Sequence, residues 1–199
     1  MNSLPKPYYE DSAVTIYHAD CRDILPLLDE SIDLVLTDPP YPDQHPEYGE
    51  VDLSFLNNYT CRQLVFWSNK VDFPLDYTAI HIWAKGTGCG SQYERIFERN
   101  GGKAYNLYYY YFVNSPIGAK FARDEFMEHE TQKPIQLLLR LVADYSKLDQ
   151  VVLDPFLGSG TTMVAVKKLN RRCIGIEIEE KYCEMAAKRL SQSVMELAV

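Results

Sequence analysis

The stretch that most constrains this chain is VVLDPFLGSGTTMVAVKKLNRRCIGIEIE, residues 151–179. An apolar, β-rich run (Gln150–Asp154) stops at Asp154, Pro155 and Phe156. Gly158, Ser159 and Gly160 follow, and a helical pattern begins at Thr161. Two glycines at such a turn allow backbone conformations closed to other residues and let the chain approach a ligand closely. The helix N-terminus adds unpaired N–H groups. The next run, Cys173–Glu177, ends in an acid where a carboxylate accepts hydrogen bonds from ribose hydroxyls. Strand, glycine turn, helix, strand and acid in this order point to a nucleoside-containing cofactor. Met163 stands where a dinucleotide fingerprint has its third glycine, which disfavours a pyrophosphate.

The rest of the chain repeats this alternation. Further strand-like runs are read at Ala13–His18, Asp33–Thr37, Gln63–Ser68, Ala79–Lys85 and Asn106–Asn114, seven in all. Helical patterns are read near Cys21–Leu28, Leu53–Thr60, Gln92–Arg99, Pro134–Tyr145, Thr161–Leu169 and Glu179–Ser191. This alternation predicts an α/β fold with a mainly parallel sheet. At 199 residues with 46% apolar content, a single domain over 1–199 is expected. The aromatic run Tyr108–Phe112 is read as a strand covered on both sides in preference to a platform for stacking bases. GTGCG at Gly86–Gly90 is read as a loop.

A second motif, Asp38-Pro39-Pro40-Tyr41, follows the strand-like DLVLT. Adjacent prolines fix φ and remove two N–H donors, leaving a stiff loop that presents acceptors, the Asp38 carboxylate and the Pro39 carbonyl. Such a pair suits the exocyclic amino group of a base, whose lone pair is drawn into the ring. Accepting both N–H bonds favours a more pyramidal, more nucleophilic nitrogen. Tyr41 is expected to offer a flat face to a base swung out of its helix. Reaction of such a nitrogen with an already activated donor needs alignment and charge stabilisation, with no metal and no covalent nucleophile.

Charge limits the substrate. The net charge is −8, yet residues 1–52 hold twelve acids against Lys6 and Arg22, so the remaining 147 residues carry +2. Acidity is concentrated in one third of the chain, and no basic stripe for phosphate is evident elsewhere. The five cysteines are scattered without a CxxC pair, which suggests neither disulfide framework nor zinc site. The start has no secretory pattern and no segment reaches membrane-spanning length, so a cytoplasmic protein is expected.

Together these motifs resemble the permuted (β-type) subgroup of the DNA amino-methyltransferase family, in which the DPPY motif precedes the cofactor loop. The resemblance covers residues 18–41, 129–145 and 151–190. It implies a Rossmann-like seven-stranded methyltransferase sheet with one antiparallel strand and helices on both faces, S-adenosylmethionine as cofactor and DNA as substrate. By resemblance, Asp38, Pro39, Pro40 and Tyr41 are catalytic. The cofactor set comprises Asp20, Thr131, Lys133, Asp154, Pro155, Phe156, Gly158, Ser159, Gly160, Thr161 and Glu177. Asp20 matches the position that contacts the cofactor's adenine amino group, with capping of the following helix as its competing role. Thr131, Gln132, Lys133 and Pro134 match the segment that closes over the methionine end, where Lys133 would face the carboxylate. Glu130 departs from the usual proline, and His129 is read as structural.

The 42–128 segment leaves room only for small recognition loops, at Pro42–Asp52, Lys85–Gln92 and Pro116–Glu128, with Lys85, Lys120 and Arg123 as candidate phosphate contacts. Adenine N6 is the favoured target. Cytosine N4 is the alternative, as is a cofactor-binding subunit that needs a DNA-binding partner. A homodimer would also widen the DNA-contacting surface.

Overall fold

A computed structural model describes residues 3–45, 47, 49, 51–85, 93–102, 105–109 and 132–196, the last four without their side chains. The strands are β1 (Tyr9–Glu10), β2 (Val14–His18), β3 (Leu34–Thr37), β4 (Arg62–Trp67), β5 (Ala79–Ala84), β6 (Tyr93–Arg99), β7 (Leu107–Tyr109), β8 (Val151–Asp154) and β9 (Arg172–Glu177). They form one sheet in the order β1-β2-β9-β8-β3-β4-β6-β5-β7. Pairing is parallel from β2 through β4, β6 is antiparallel to both neighbours, and β1 is antiparallel to β2. The inner seven strands therefore match the expected sheet with one reversed member. Two short edge strands, β1 and β7, add to it.

β3 and β8, buried at every position, are the continuous apolar strands a covered parallel sheet requires. Helices α1 (Cys21–Ile24), α2 (Ile135–Tyr145), α3 (Thr161–Lys168) and α4 (Glu180–Glu196) complete the described elements, with 3₁₀ turns at Leu25–Leu27 and Ser54–Asn58. In α2, Leu137, Leu138, Leu141 and Val142 form the buried face. In α4, Cys183, Ala186 and Leu190 do so at helical spacing. α2 packs on α3, and α3 and α4 both pack on β9.

The sequence reading fails most clearly at Gln92–Arg99, expected as a helix and found as β6. Tyr93, Ile96 and Phe97 imitate helical spacing, while the charges between them look solvated. Each charge instead has a tertiary partner. Glu98 meets His81 Nε2 at 2.7 Å and Arg62 Nε at 3.2 Å. Arg99 donates to Gln63 Oε1 at 2.7 Å and Asn57 Oδ1 at 2.6 Å, and Arg95 Nε donates to the Ser68 carbonyl at 3.0 Å. β6 thus supplies the reversed strand, and it lies outside the seven strand-like runs read from the sequence. Of the run Asn106–Asn114, residues 106–109 are described, with β7 over Leu107–Tyr109. Tyr108 is buried there while Leu107 and Tyr109 are exposed, so the described part is an edge strand covered on one face. Tyr110, Tyr111 and Phe112 lie outside the described residues, as do Gly86–Gly90.

Candidate active site

Parallel strands deliver their following loops to one end of a sheet, and adjacent β3 and β8 place the DPPY loop beside the glycine turn. The two motifs line one cleft of about 730 Å³, a size that suits a small-molecule ligand. Asp20, Asp38, Pro39, Pro40, Tyr41, Lys133, Asp154, Pro155, Phe156, Gly158, Ser159, Thr161 and Glu177 all border it. Gly160 is not among the lining residues, and Thr131 lies outside those described.

The glycine turn is held from three sides. Gly158 (φ +53°) and Gly160 (φ +79°) both adopt the left-handed conformation that excludes most side chains. The Glu177 carboxylate accepts the N–H of Gly158 and that of Glu179, each at 2.8 Å. Burial raises the pKa of Glu177 from its ordinary value, against the opposing effect of those backbone donors. The backbone donors do not exhaust the four lone pairs of the carboxylate, which keeps accepting capacity for a ligand hydroxyl. A Cβ built on Gly158 meets nothing within 4 Å, so the backbone there is open to a ligand.

Other members of the expected cofactor set border the cleft and also make contacts within the protein. Asp154 is buried, accepts the Thr37 hydroxyl at 2.8 Å and the Phe156 N–H at 3.3 Å, and thereby ties β8 to β3 and to the turn. Burial raises its pKa to about 6, against hydrogen bonds from Thr162 and Thr37. Ser159 and Thr161 are taken up by Arg189 of α4. Its Nη1 donates to the Ser159 carbonyl at 2.6 Å, the Ser159 hydroxyl at 3.2 Å and the Thr161 hydroxyl at 3.1 Å. Asp20 caps α1, accepting the Arg22 N–H at 2.9 Å, and pairs with the Arg22 guanidinium at 2.5 Å.

On the other side of the cleft, Asp38 is 31% exposed, but what lies behind it is buried. Its Oδ1 accepts the Tyr41 hydroxyl at 2.7 Å, and its Oδ2 accepts from the Lys133 ammonium. Tyr41 is only 4% exposed and its ring packs on Trp67, so it serves as a bridge rather than the open stacking face expected of it. Its hydroxyl also lies 3.0 Å from Glu94 Oε2. Lys133, expected to face a cofactor carboxylate, is engaged by Asp38 and by Glu94 at 3.4 Å. Glu94 also pairs with Lys85 at 2.5 Å. Lys85 is 8% exposed and directed at this carboxylate, which removes it from the candidate phosphate contacts. Lys120 and Arg123 lie outside the described residues. Glu94 escaped the sequence reading because its strand was taken for a helix.

These charges stabilise one another. Burial disfavours the Lys133 ammonium, but Asp38 and Glu94 outweigh it and raise the pKa. Burial likewise pushes the Glu94 carboxyl up, while Lys133 and Lys85 hold it below its usual value.

A family model described as DNA methylase, of the N6/N4 methyltransferase type, matches residues 82–188. The chain belongs to this DNA methylase family. It is therefore an S-adenosylmethionine-dependent DNA amino-methyltransferase, acting on adenine N6 or cytosine N4. The type II methyltransferase M.ScaI of Streptomyces caespitosus is 27% identical, in an alignment covering 98% of this chain and 87% of the relative. M.HinfI of Haemophilus influenzae is 52% identical over 64 residues, which are 32% of this chain and 18% of that enzyme. Among solved structures, the M1.HpyAVI–SAM complex shares the fold with a TM-score of 0.64 at 24% identity, covering 88% of this chain and 99% of that one. PvuII DNA methyltransferase (cytosine-N4-specific) shares it with a TM-score of 0.68 at 16% identity, over 94% and 89%. Among the described residues no helix is long and apolar enough to cross a membrane, and no cluster of His, Cys, Asp or Glu could hold a metal ion.

Proposed function

We propose that the DNA methylase carried by this chain methylates adenine N6, with Asp38 as the residue that receives the target amino group. The observation that carries this reading is the shared cleft, where a half-exposed Asp38 carboxylate faces the same space as Gly158 and Glu177. The residues fit a nucleoside-bearing methyl donor: Glu177 has lone pairs for ribose hydroxyls, and the open Gly158 backbone leaves room beside it. Phe156, half-buried at the cleft, supplies apolar surface.

The donor supplies an electrophilic methyl group as a sulfonium. Everything else falls to the chain. Tyr41 and Lys133 occupy one lone pair on each Asp38 oxygen and orient the carboxylate. The remaining lone pairs accept from the target N–H bonds, with the rigid Pro39 carbonyl as second acceptor. As positive charge grows on the nitrogen, the fixed carboxylate stabilises it without reorganisation. The DPPY motif is compatible with both bases, and adenine is the proposed target. The acidic balance, −8 overall, supports DNA contact through a second copy or a partner subunit, because the chain has few cations to spend on phosphate.

The test is transfer of labelled methyl from the purified chain to DNA, RNA and protein, followed by nucleoside analysis. Labelled 6-methyladenine is the expected product, and 4-methylcytosine would move the target to the other base. Cofactor binding without transfer to any substrate would make the chain a subunit that needs a partner. Asp38→Ala should cut turnover by about 100-fold or more while cofactor affinity changes little. Normal turnover by that variant would remove Asp38 from the reaction.

A further inference from the structure

Behind Asp38 lies a buried chain of charge that the transfer reaction itself does not require. Asp38, 31% exposed, is the member most open to the cleft, which Tyr41, Lys133, Lys85 and Glu94 border with little exposed surface. Lys133 and Tyr41 hold its two oxygens, and both of these groups converge on one further carboxylate, Glu94, with Lys133 at 3.4 Å and the Tyr41 hydroxyl at 3.0 Å. The other Glu94 oxygen is fastened by Lys85 at 2.5 Å. Glu94 is 6% exposed on the reversed strand β6, and Lys85 stands directly after β5.

Two features distinguish this arrangement from ordinary core packing. First, among the described residues two carboxylates, Asp38 and Glu94, face two ammonium groups, Lys85 and Lys133. A buried charge is tolerated only when paired in this way. Second, the Tyr41 hydroxyl has one proton but lies within 3.0 Å of two carboxylate oxygens, so it can donate to only one at a time. The second oxygen-to-oxygen contact is repulsive unless cations lie beside it, and the two lysines provide them. Remove the Glu94 charge and Lys133 loses one of its two anchors, while the Tyr41 hydroxyl, now without a competing acceptor, is no longer held between two carboxylates.

We propose that Glu94 is a positioning residue for methyl transfer, fixing through Lys133 and Tyr41 the direction in which Asp38 presents its free lone pairs to the target amine. This rests on the reading of Asp38 as the amine acceptor. Glu94 touches neither substrate nor cofactor in this scheme. Its effect belongs to turnover, because a displacement of about 1 Å in an aligning group costs about 100-fold in rate.

The experiment compares Glu94→Gln, Glu94→Asp, Lys133→Met and the double variant Glu94→Gln/Lys133→Met, with Asp38→Ala as the reference. Turnover is measured with a DNA substrate, cofactor affinity by calorimetry and folding by thermal melting. Glu94→Gln should lower kcat by about 10–100-fold with cofactor affinity within threefold of the parent. Glu94→Asp, which keeps the charge on a shorter stem, should recover part of that loss and reports independently if the glutamine variant does not fold. Because Glu94 acts in part through Lys133, the double variant should fall well short of the product of the two single losses. The proposal is overturned if Glu94→Gln turns over within twofold of the parent while Asp38→Ala is inactive. It is also overturned if the two single losses multiply, or if Glu94→Gln loses cofactor affinity in step with turnover. An active Asp38→Ala would instead refute the acceptor reading on which it stands.

Discussion

Gly158 and Gly160 share a left-handed backbone, yet the same substitution should have different consequences at each. A non-glycine residue in this region costs roughly 1–2 kcal/mol, and both Gly158→Ala and Gly160→Ala bear that cost. At Gly160 the new Cβ would also lie 2.7 Å from the Ala186 Cβ and 3.2 Å from its Cα, against the buried face of α4. Overpacking of this kind adds roughly 1–3 kcal/mol. For a chain of this size each kcal/mol moves the melting temperature by about 2–4 °C, so Gly160→Ala should melt roughly 2–12 °C below Gly158→Ala. The ranking reverses for ligand affinity, since the Gly158 methyl group meets no protein atom within 4 Å and enters the cleft. Thermal melting of both variants, with calorimetric titration of S-adenosylmethionine, reads the two effects separately. Adding Ala186→Gly to Gly160→Ala should make the double loss smaller than the sum of the single losses, as relief of a contact predicts. If Gly160→Ala melts no lower than Gly158→Ala, or if Ala186→Gly simply adds its own cost, the clash with α4 is not what reserves this position for glycine.

Asp154 yields a pH signature. Its folded pKa of about 6 lies above its unfolded value of 3.8, so the folded state takes up the proton more readily. The residue's contribution is therefore fully favourable below the unfolded value and is lost as pH rises through 6, an effect of about 3 kcal/mol. Asp154→Asn should gain stability relative to the parent between pH 4 and 7.5, and parallel urea-unfolding curves across that range would contradict this. Arg189→Met should loosen the glycine turn, because Ser159 and Thr161 lose their shared donor. Cofactor affinity should drop several-fold with turnover at saturating cofactor nearly unchanged, and an unaltered calorimetric Kd would exclude the clamp. At the opposite end of β6, Glu98→Ala would leave Arg62 and buried His81 without their carboxylate, at a cost of roughly 3–5 kcal/mol. Denaturant unfolding showing less than 1 kcal/mol would assign that network to the surface.

Local pattern was enough for most of the parallel sheet and for its two motifs. β3 and β8 are unbroken apolar runs ending in Asp38-Pro39-Pro40-Tyr41 and in Asp154-Pro155-Phe156, and glycines at 158 and 160 signal a backbone that other residues resist. Those signals are intrinsic to short segments, so they survive reading without partners. What the sequence left undecided depends on neighbours distant along the chain. The charges of β6 look solvated until Lys85, Lys133, His81 and Arg62 are brought against them, so the strand reads as a helix. Likewise Ser159 and Thr161 face Arg189 from thirty and twenty-eight positions away, and Lys133 reaches Asp38 across ninety-five. A lone charge in sequence has no sign of its partner. Burial makes that partner obligatory, and only the folded sheet chooses which one it is.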